Sequence, residues 1–142
     1  MSPASLTVPG VLEEVPHVRR WLREVLAGWR LTGSDAADLA LAVTEICTNI
    51  ARYGYRDTAG AIEVQVARQA DAVHVTILDR APLFRPGDMS LPPATALAEG
   101  GYGLGLVRSV VDEVHVLPVA GGGNRTVLVK RRSPSAGERS DP

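Results

Sequence analysis

Two polar residues, Glu45 and Asn49, stand four apart in the otherwise mostly apolar stretch LALAVTEICTNIARYGY, from Leu39 to Tyr55. On a helix that spacing stacks them on one face, a turn apart. One reading is a hydrogen-bonded polar edge on an amphipathic helix, and spacing alone favours it. The other is a metal-and-base pair. In it the Asn49 amide oxygen meets a hard cation such as Mg²⁺, and the Glu45 carboxylate accepts a proton from a nucleophile. Three further features bear on the choice. Gly101-x-Gly103-x-Gly105 is a glycine-rich turn running into a helical pattern, which lets backbone N–H groups approach phosphate. Asp79 closes a predicted buried strand, where it either caps a turn or accepts a hydrogen bond from the exocyclic amine of an adenine. Thr126 begins a strand after a run of glycines and offers a hydroxyl. The glycine turn is not a dinucleotide fingerprint, since no parallel βαβ unit surrounds it. Nor is it a Walker loop, since no Gly-Lys-Ser/Thr follows.

These residues must be positioned by elements that the hydrophobic pattern predicts. Leu39, Val43, Ile46 and Ile50 form one helical stripe, widened by Ala36, Ala40, Cys47 and Ala51. Ser34 or Asp35 is placed to cap this helix, which is predicted to end near Gly54. Before it come a short strand over Ser5 to Val8 and an amphipathic helix from Glu14 to Gly28, with Trp21 as a core residue. After it, Ile62, Val64 and Val66, then Val73, Val75 and Ile77, alternate with polar residues and predict an antiparallel hairpin buried on one face. His74 falls on the polar side. The segment from Phe84 to Gly101 has no period and is broken by prolines and glycines; a loop this long in a small domain is either functional or poorly ordered. Leu104, Val107, Val110, Val111 and Val114 carry a helical period. Strands over His115 to Val119 and Thr126 to Lys130 close the chain, joined by a turn from Ala120 to Arg125. The order β-α-α-β-β-α-β-β predicts an α+β two-layer sandwich, its mostly antiparallel sheet covered on one face by helices. Residues 1–132 are expected to be one domain and 133–142 a disordered tail.

The chain of 142 residues suits a single domain with its own core. A formal net charge of −1, without a run of one sign, argues against nucleic acid as the main partner. The single cysteine, Cys47, excludes an internal disulfide and a cysteine-based zinc site, and its place on the apolar stripe predicts a buried, inert thiol. No membrane span or signal-peptide pattern is present, so the expectation is a cytoplasmic protein. Lys130 is the only lysine, which reads as coding bias.

No single feature decides, but their order is specific. Glu-x-x-x-Asn on a helix, a hairpin ending in Asp79, a variable loop, GGYGLGL into a helix and a strand begun by Thr126 together resemble the GHKL ATPase superfamily. Within it, the chain is similar to the stand-alone anti-sigma factor serine/threonine kinases. The similarity runs over roughly Leu6 to Lys130, with VTEICTNIARYGY and GGYGLGLVRSVVDEV the closest stretches. The resemblance implies the GHKL, or Bergerat, ATP-binding fold. It also implies Glu45 as general base, Asn49 as Mg²⁺ ligand and Asp79 as the adenine-binding aspartate backed by Thr126. Gly101, Gly103, Leu104 and Gly105 match the phosphate-cradling turn, and the segment from Arg85 to Gly100 matches the ATP lid. The family's box has glycine two residues after the aspartate. This chain has Ala81, whose methyl is expected to crowd the nucleotide.

The implied activity is transfer of the γ-phosphate of Mg·ATP to a serine or threonine of an anti-anti-sigma (STAS-type) protein, coupled to sequestration of a sigma factor by a homodimer. The alternative is a nucleotide-responsive module that sequesters a partner and transfers nothing. A histidine-kinase catalytic domain carries little weight, because His17, His74 and His115 lie in no helical hairpin.

Overall fold

The computed structural model describes residues 2–55, 59–81 and 104–133. The expected lid, Gly101, Gly103, the Leu104 side chain and residues 134–142 of the expected tail lie outside the described residues. Five strands form one sheet: β1 (Ala4–Pro9), β2 (Ala61–Gln69), β3 (Ala72–Asp79), β4 (Glu113–Pro118) and β5 (Asn124–Arg131). Their order is β1-β2-β3-β5-β4, and every neighbouring pair is antiparallel. The helices are α1 (Val15–Gly28), preceded by a short 3₁₀ turn (Leu12–Glu14), α2 (Gly33–Asn49) and α3 (Leu104–Val110). The predicted element order and α+β layering are those observed.

Alternation builds the core. Val8, Ile62, Val64, Val66, Val73, Val75, Ile77 and Leu128 are buried on the inner face of the sheet. Against them lie Val18, Leu22 and Leu26 of α1 and Leu39, Val43, Ile46 and Cys47 of α2. The eight positions of the predicted central stripe are all buried, so the 3.6-residue period read that helix's orientation correctly. Trp21 is half-buried and packs on the core from its rim.

Several boundaries differ from expectation. The helical period was carried through to Val114, but α3 stops at Val110 and Val114 belongs to β4. Alternating valines at a helix–strand junction satisfy both periods, and pairing with β5 decides. Asn124 and Arg125, expected in the turn, begin β5, while Val119 falls just outside β4. Neither Ser34 nor Asp35 caps α2. The N-cap is Thr32, with no side-chain cap bond, and the Asp35 carboxylate instead accepts the backbone N–H and the hydroxyl of Ser133, each at 2.8 Å. The chain beyond β5 is thereby tied to the start of α2.

The helix α1 ends in a Schellman arrangement, with Leu31 N–H on the Leu26 carbonyl (2.8 Å) and Arg30 N–H on that of Ala27 (3.0 Å). The left-handed position is held by Arg30 (φ 62), not by a glycine. Lys130, which composition alone explains as coding bias, has a structural task. Its ammonium donates to Asp38 of α2 (3.1 Å) and to the last carbonyl of α3, that of Val110 (2.9 Å). It therefore ties β5 to both helices that carry the motifs.

Candidate functional site

The stripe of α2 faces the sheet, which leaves Glu45 and Asn49 half-buried at the margin of its packed face. Among the described residues Glu45 makes no hydrogen bond or ion pair. The helix continues past Asn49 as a π-helical turn, Ile50–Tyr55. Such turns are rare and occur often at functional sites. Here the turn delivers Tyr55 to the end of β3. The Tyr55 hydroxyl donates to the Ala61 carbonyl (2.6 Å) and accepts the Arg80 N–H (2.7 Å). Its ring lies so close to Gly10 and Gly60 that a side chain on either glycine would strike it. The helix bearing Glu45 and Asn49 is thus pinned to the main chain that follows Asp79.

Asp79 closes the inner face of β3 and is 6% exposed. Its Oδ1 accepts the Ala81 N–H (2.9 Å) and the side-chain amide of Asn124 (3.0 Å). Burial raises the carboxyl above its ordinary range, and these two hydrogen bonds oppose the rise. Its charge reaches Cys47 on α2, whose thiol is pushed up to about 12, first by burial and then by Asp79. That thiol is inert at neutral pH, as its place on the stripe predicted. Thr126 is buried and pairs with Ile77, so it shares the inner face with Asp79, one step diagonally along the sheet.

Of the expected residues, Asp79 and Thr126 lie together at one end of the sheet. Asp79 and Thr126 come from neighbouring strands, and α2 crosses close enough for Cys47 to feel the Asp79 charge. The helix α3, which carries Gly105 on its exposed surface, packs on α2. The Ala81 methyl, expected to crowd the nucleotide, is 1% exposed and belongs to the core. It faces Gly54 of the π turn, where an added Cβ would lie 2.9 Å away.

Two residues escaped the sequence reading. By sequence Tyr55 is only the end of a helical stretch. Asn124 falls by sequence in a connecting turn, yet it is buried and holds Asp79. The available signal was a short amide directly after three glycines. Gly123 has φ +99, and a Cβ there would collide with the Asp79 carbonyl oxygen, so the chain is drawn up against Asp79 at that point.

Residues 8–130 match the family described as the histidine kinase-like ATPase domain. The chain belongs to that family. Among curated relatives, the chain is similar to the serine-protein kinase RsbW of Bacillus velezensis, at 32% identity over 120 residues, covering 78% of this chain and 75% of that one. It is similar to the RsbW of Bacillus cereus at 25% identity over 121 residues, covering 79% and 75%. Among solved structures, the RsbU and RsbW domains of Rv1364c from Mycobacterium tuberculosis superpose with a TM-score of 0.71 at 27% identity. That match covers 96% of this chain and 34% of the other, so this chain spans about a third of that protein. The blue-light activated histidine kinase of Erythrobacter litoralis, at 18% identity and a TM-score of 0.58, shares the fold. Membership in this ATPase family implies nucleotide use.

The residues present are compatible with a Mg²⁺ ion that comes with a nucleotide. The described residues hold no cluster of three or more His, Cys, Asp or Glu side chains that would cage a metal. Mg²⁺ bound with a nucleotide needs none, because it keeps waters and phosphate oxygens and takes few protein ligands. The carboxamide Asn49, beside Glu45 on α2, is a suitable single oxygen donor.

Proposed function

We propose that this chain is an ATP-dependent serine/threonine kinase of the anti-sigma factor type, acting on an anti-anti-sigma protein of the STAS type and sequestering a sigma factor. One observation carries the nucleotide reading. A buried carboxylate, Asp79, is held by neutral donors at the end of β3, beside the helix that bears Glu45 and Asn49. A buried carboxylate with no cationic partner among the described residues suits recognition of an uncharged donor such as the adenine amine.

In this reading Asp79 and Thr126 hold the base, and Gly101, Gly103, Leu104 and Gly105 cradle the phosphates. The lid, Arg85 to Gly100, covers them. Asn49 is the protein ligand to Mg²⁺. When bound, the cation neutralises phosphate charge and holds the phosphates in one geometry. Glu45, without a partner among the described residues, accepts the proton of the substrate hydroxyl as the hydroxyl oxygen bonds to the γ-phosphorus and ADP departs. The relatives' names as serine-protein kinases favour transfer over a binding module that transfers nothing. The chain acts as a homodimer in the cytoplasm. No helix among the described residues is long and apolar enough to cross a membrane.

The test is radiolabel transfer from [γ-³²P]ATP to a purified STAS-type partner. Glu45→Gln is expected to keep Mg·ATP binding and lower transfer by about 10²–10⁴-fold. Undiminished transfer in that variant removes Glu45 from the mechanism.

A further inference from the structure

The carboxylate of Asp79 has two oxygens, and the fold treats them differently. Oδ1 takes both the Ala81 N–H at 2.9 Å and the Asn124 amide at 3.0 Å. Among the described residues, no hydrogen bond falls on Oδ2. Turning the carboxylate about its Cβ–Cγ bond would forfeit or weaken both bonds on Oδ1. The backbone donor comes from the same turn, whereas Asn124 belongs to another strand.

We propose that Asn124 is a positioning residue for base recognition: its amide pins Oδ1 of Asp79 so that Oδ2 is the oxygen offered to the exocyclic amine of adenine. The proposal deepens the reading of Asp79 as the base-binding carboxylate and rests on it. Asn124 can do this because the chain before it is drawn in. Gly123 lies against the Asp79 carbonyl, where any side chain would collide, and its φ of +99 turns Asn124 into the inner face opposite Asp79. The far side of the turn is fixed as well, since the Arg80 N–H is held by the Tyr55 hydroxyl.

The choice of an amide has a physical reason. A lysine or arginine at position 124 would pair with Asp79 and neutralise it. Asn124 donates a hydrogen bond and leaves the negative charge to a ligand. Among the described residues, the titratable groups on which the Asp79 charge acts are Cys47 from α2 and Tyr55 from the π turn. The Cys47 thiol and the Tyr55 hydroxyl both stay neutral at physiological pH, their ionisation pushed up first by burial. Among the described residues Arg80 makes no ion pair with Asp79.

The experiment compares ATP with purine riboside triphosphate, which lacks only the exocyclic amine. Calorimetric affinities for both nucleotides give a selectivity ratio for each protein. The unmodified chain is expected to prefer ATP by about 10- to 100-fold, the range of a hydrogen bond to a charged group. Asn124→Leu removes the donor at similar volume, and Asn124→Ser is too short to reach Oδ1. In either variant the ratio should fall below about threefold while triphosphate binding persists, a change that a loss of stability alone does not produce. A ratio that survives in both variants overturns the proposal. Asp79→Asn is the control for the underlying reading. If Asp79→Asn collapses the ratio and the Asn124 variants do not, Asp79 reads the base without Asn124. If Asp79→Asn leaves the ratio intact, the base does not sit at Asp79, and both the reading and the proposal fall.

Discussion

Ala81 and Gly54 are small because each leaves room for the other, and a four-protein cycle tests this. In Gly54→Ala the new Cβ would stand 2.9 Å from the Ala81 methyl. Carbon atoms prefer about 3.5–4.0 Å, so the overlap is roughly 0.6 Å or more. Both methyls are fixed directly to backbone, so relief requires the π turn or the turn after Asp79 to move. Overpacking of this kind costs about 1–3 kcal/mol. Replacing a helical glycine by alanine returns about 0.5–1 kcal/mol. The net expectation is destabilisation by about 0.5–2 kcal/mol, read as a fall in Tm of several degrees. In an Ala81→Gly background the obstacle is gone, and the same Gly54→Ala exchange should stabilise by about 0.5–1 kcal/mol. The coupling energy is then about 1–3 kcal/mol, measured by urea denaturation of the parent, both single variants and the double variant. ATP affinity should fall in Gly54→Ala, because the displaced turn carries Asp79, and recover in the double variant. Effects that add within about 0.5 kcal/mol would falsify the contact. They would reopen the expectation that the Ala81 methyl faces the nucleotide.

Three other outcomes follow from the geometry. Asn49→Ala should remove most of the Mg²⁺-dependent part of ATP affinity, seen by calorimetry with Mg²⁺ and with EDTA, and equal Mg²⁺ dependence in both proteins would take Asn49 out of the metal site. Asp79→Asn keeps an oxygen for the Ala81 and Asn124 donors while removing a charge whose burial is unfavourable. Because the folded carboxyl titrates above the ordinary 3.8, the folded state binds the extra proton, and stability declines as pH rises through that window. Asp79→Asn should therefore raise the Tm of the nucleotide-free protein at neutral pH, flatten this pH dependence and weaken ATP binding by about 10- to 100-fold. An unchanged or lower Tm there contradicts the burial argument. Arg30→Gly should relieve the left-handed φ of 62 at the end of α1 and raise Tm by about 2–4 °C, a shift that differential scanning calorimetry resolves.

The sequence by itself determined the layers of this protein and pointed to its family. The apolar stripe of α2 and the alternation in β2 and β3 follow from periods of 3.6 and 2, which act within one element and need no partner to be read. The order of Glu45, Asn49, Asp79, the glycine turn and Thr126 carried the family resemblance for the same reason. Tertiary structure decided what depends on contacts between elements distant in sequence. Val114 joins β4 and not α3 because β5 offers it a pairing partner. Asp35 binds Ser133, nearly a hundred residues on, so its helix-capping propensity is overridden. Lys130 clasps two helices that no local pattern connects to it. Asn124 passes for a turn residue until the antiparallel register sets it opposite Asp79, where burial makes its amide the donor that the carboxylate requires. The Ala81 methyl has a place because Gly54, on another element, leaves one. Local periods and propensities state which face a residue takes, and only the packed chain states which residue meets it there.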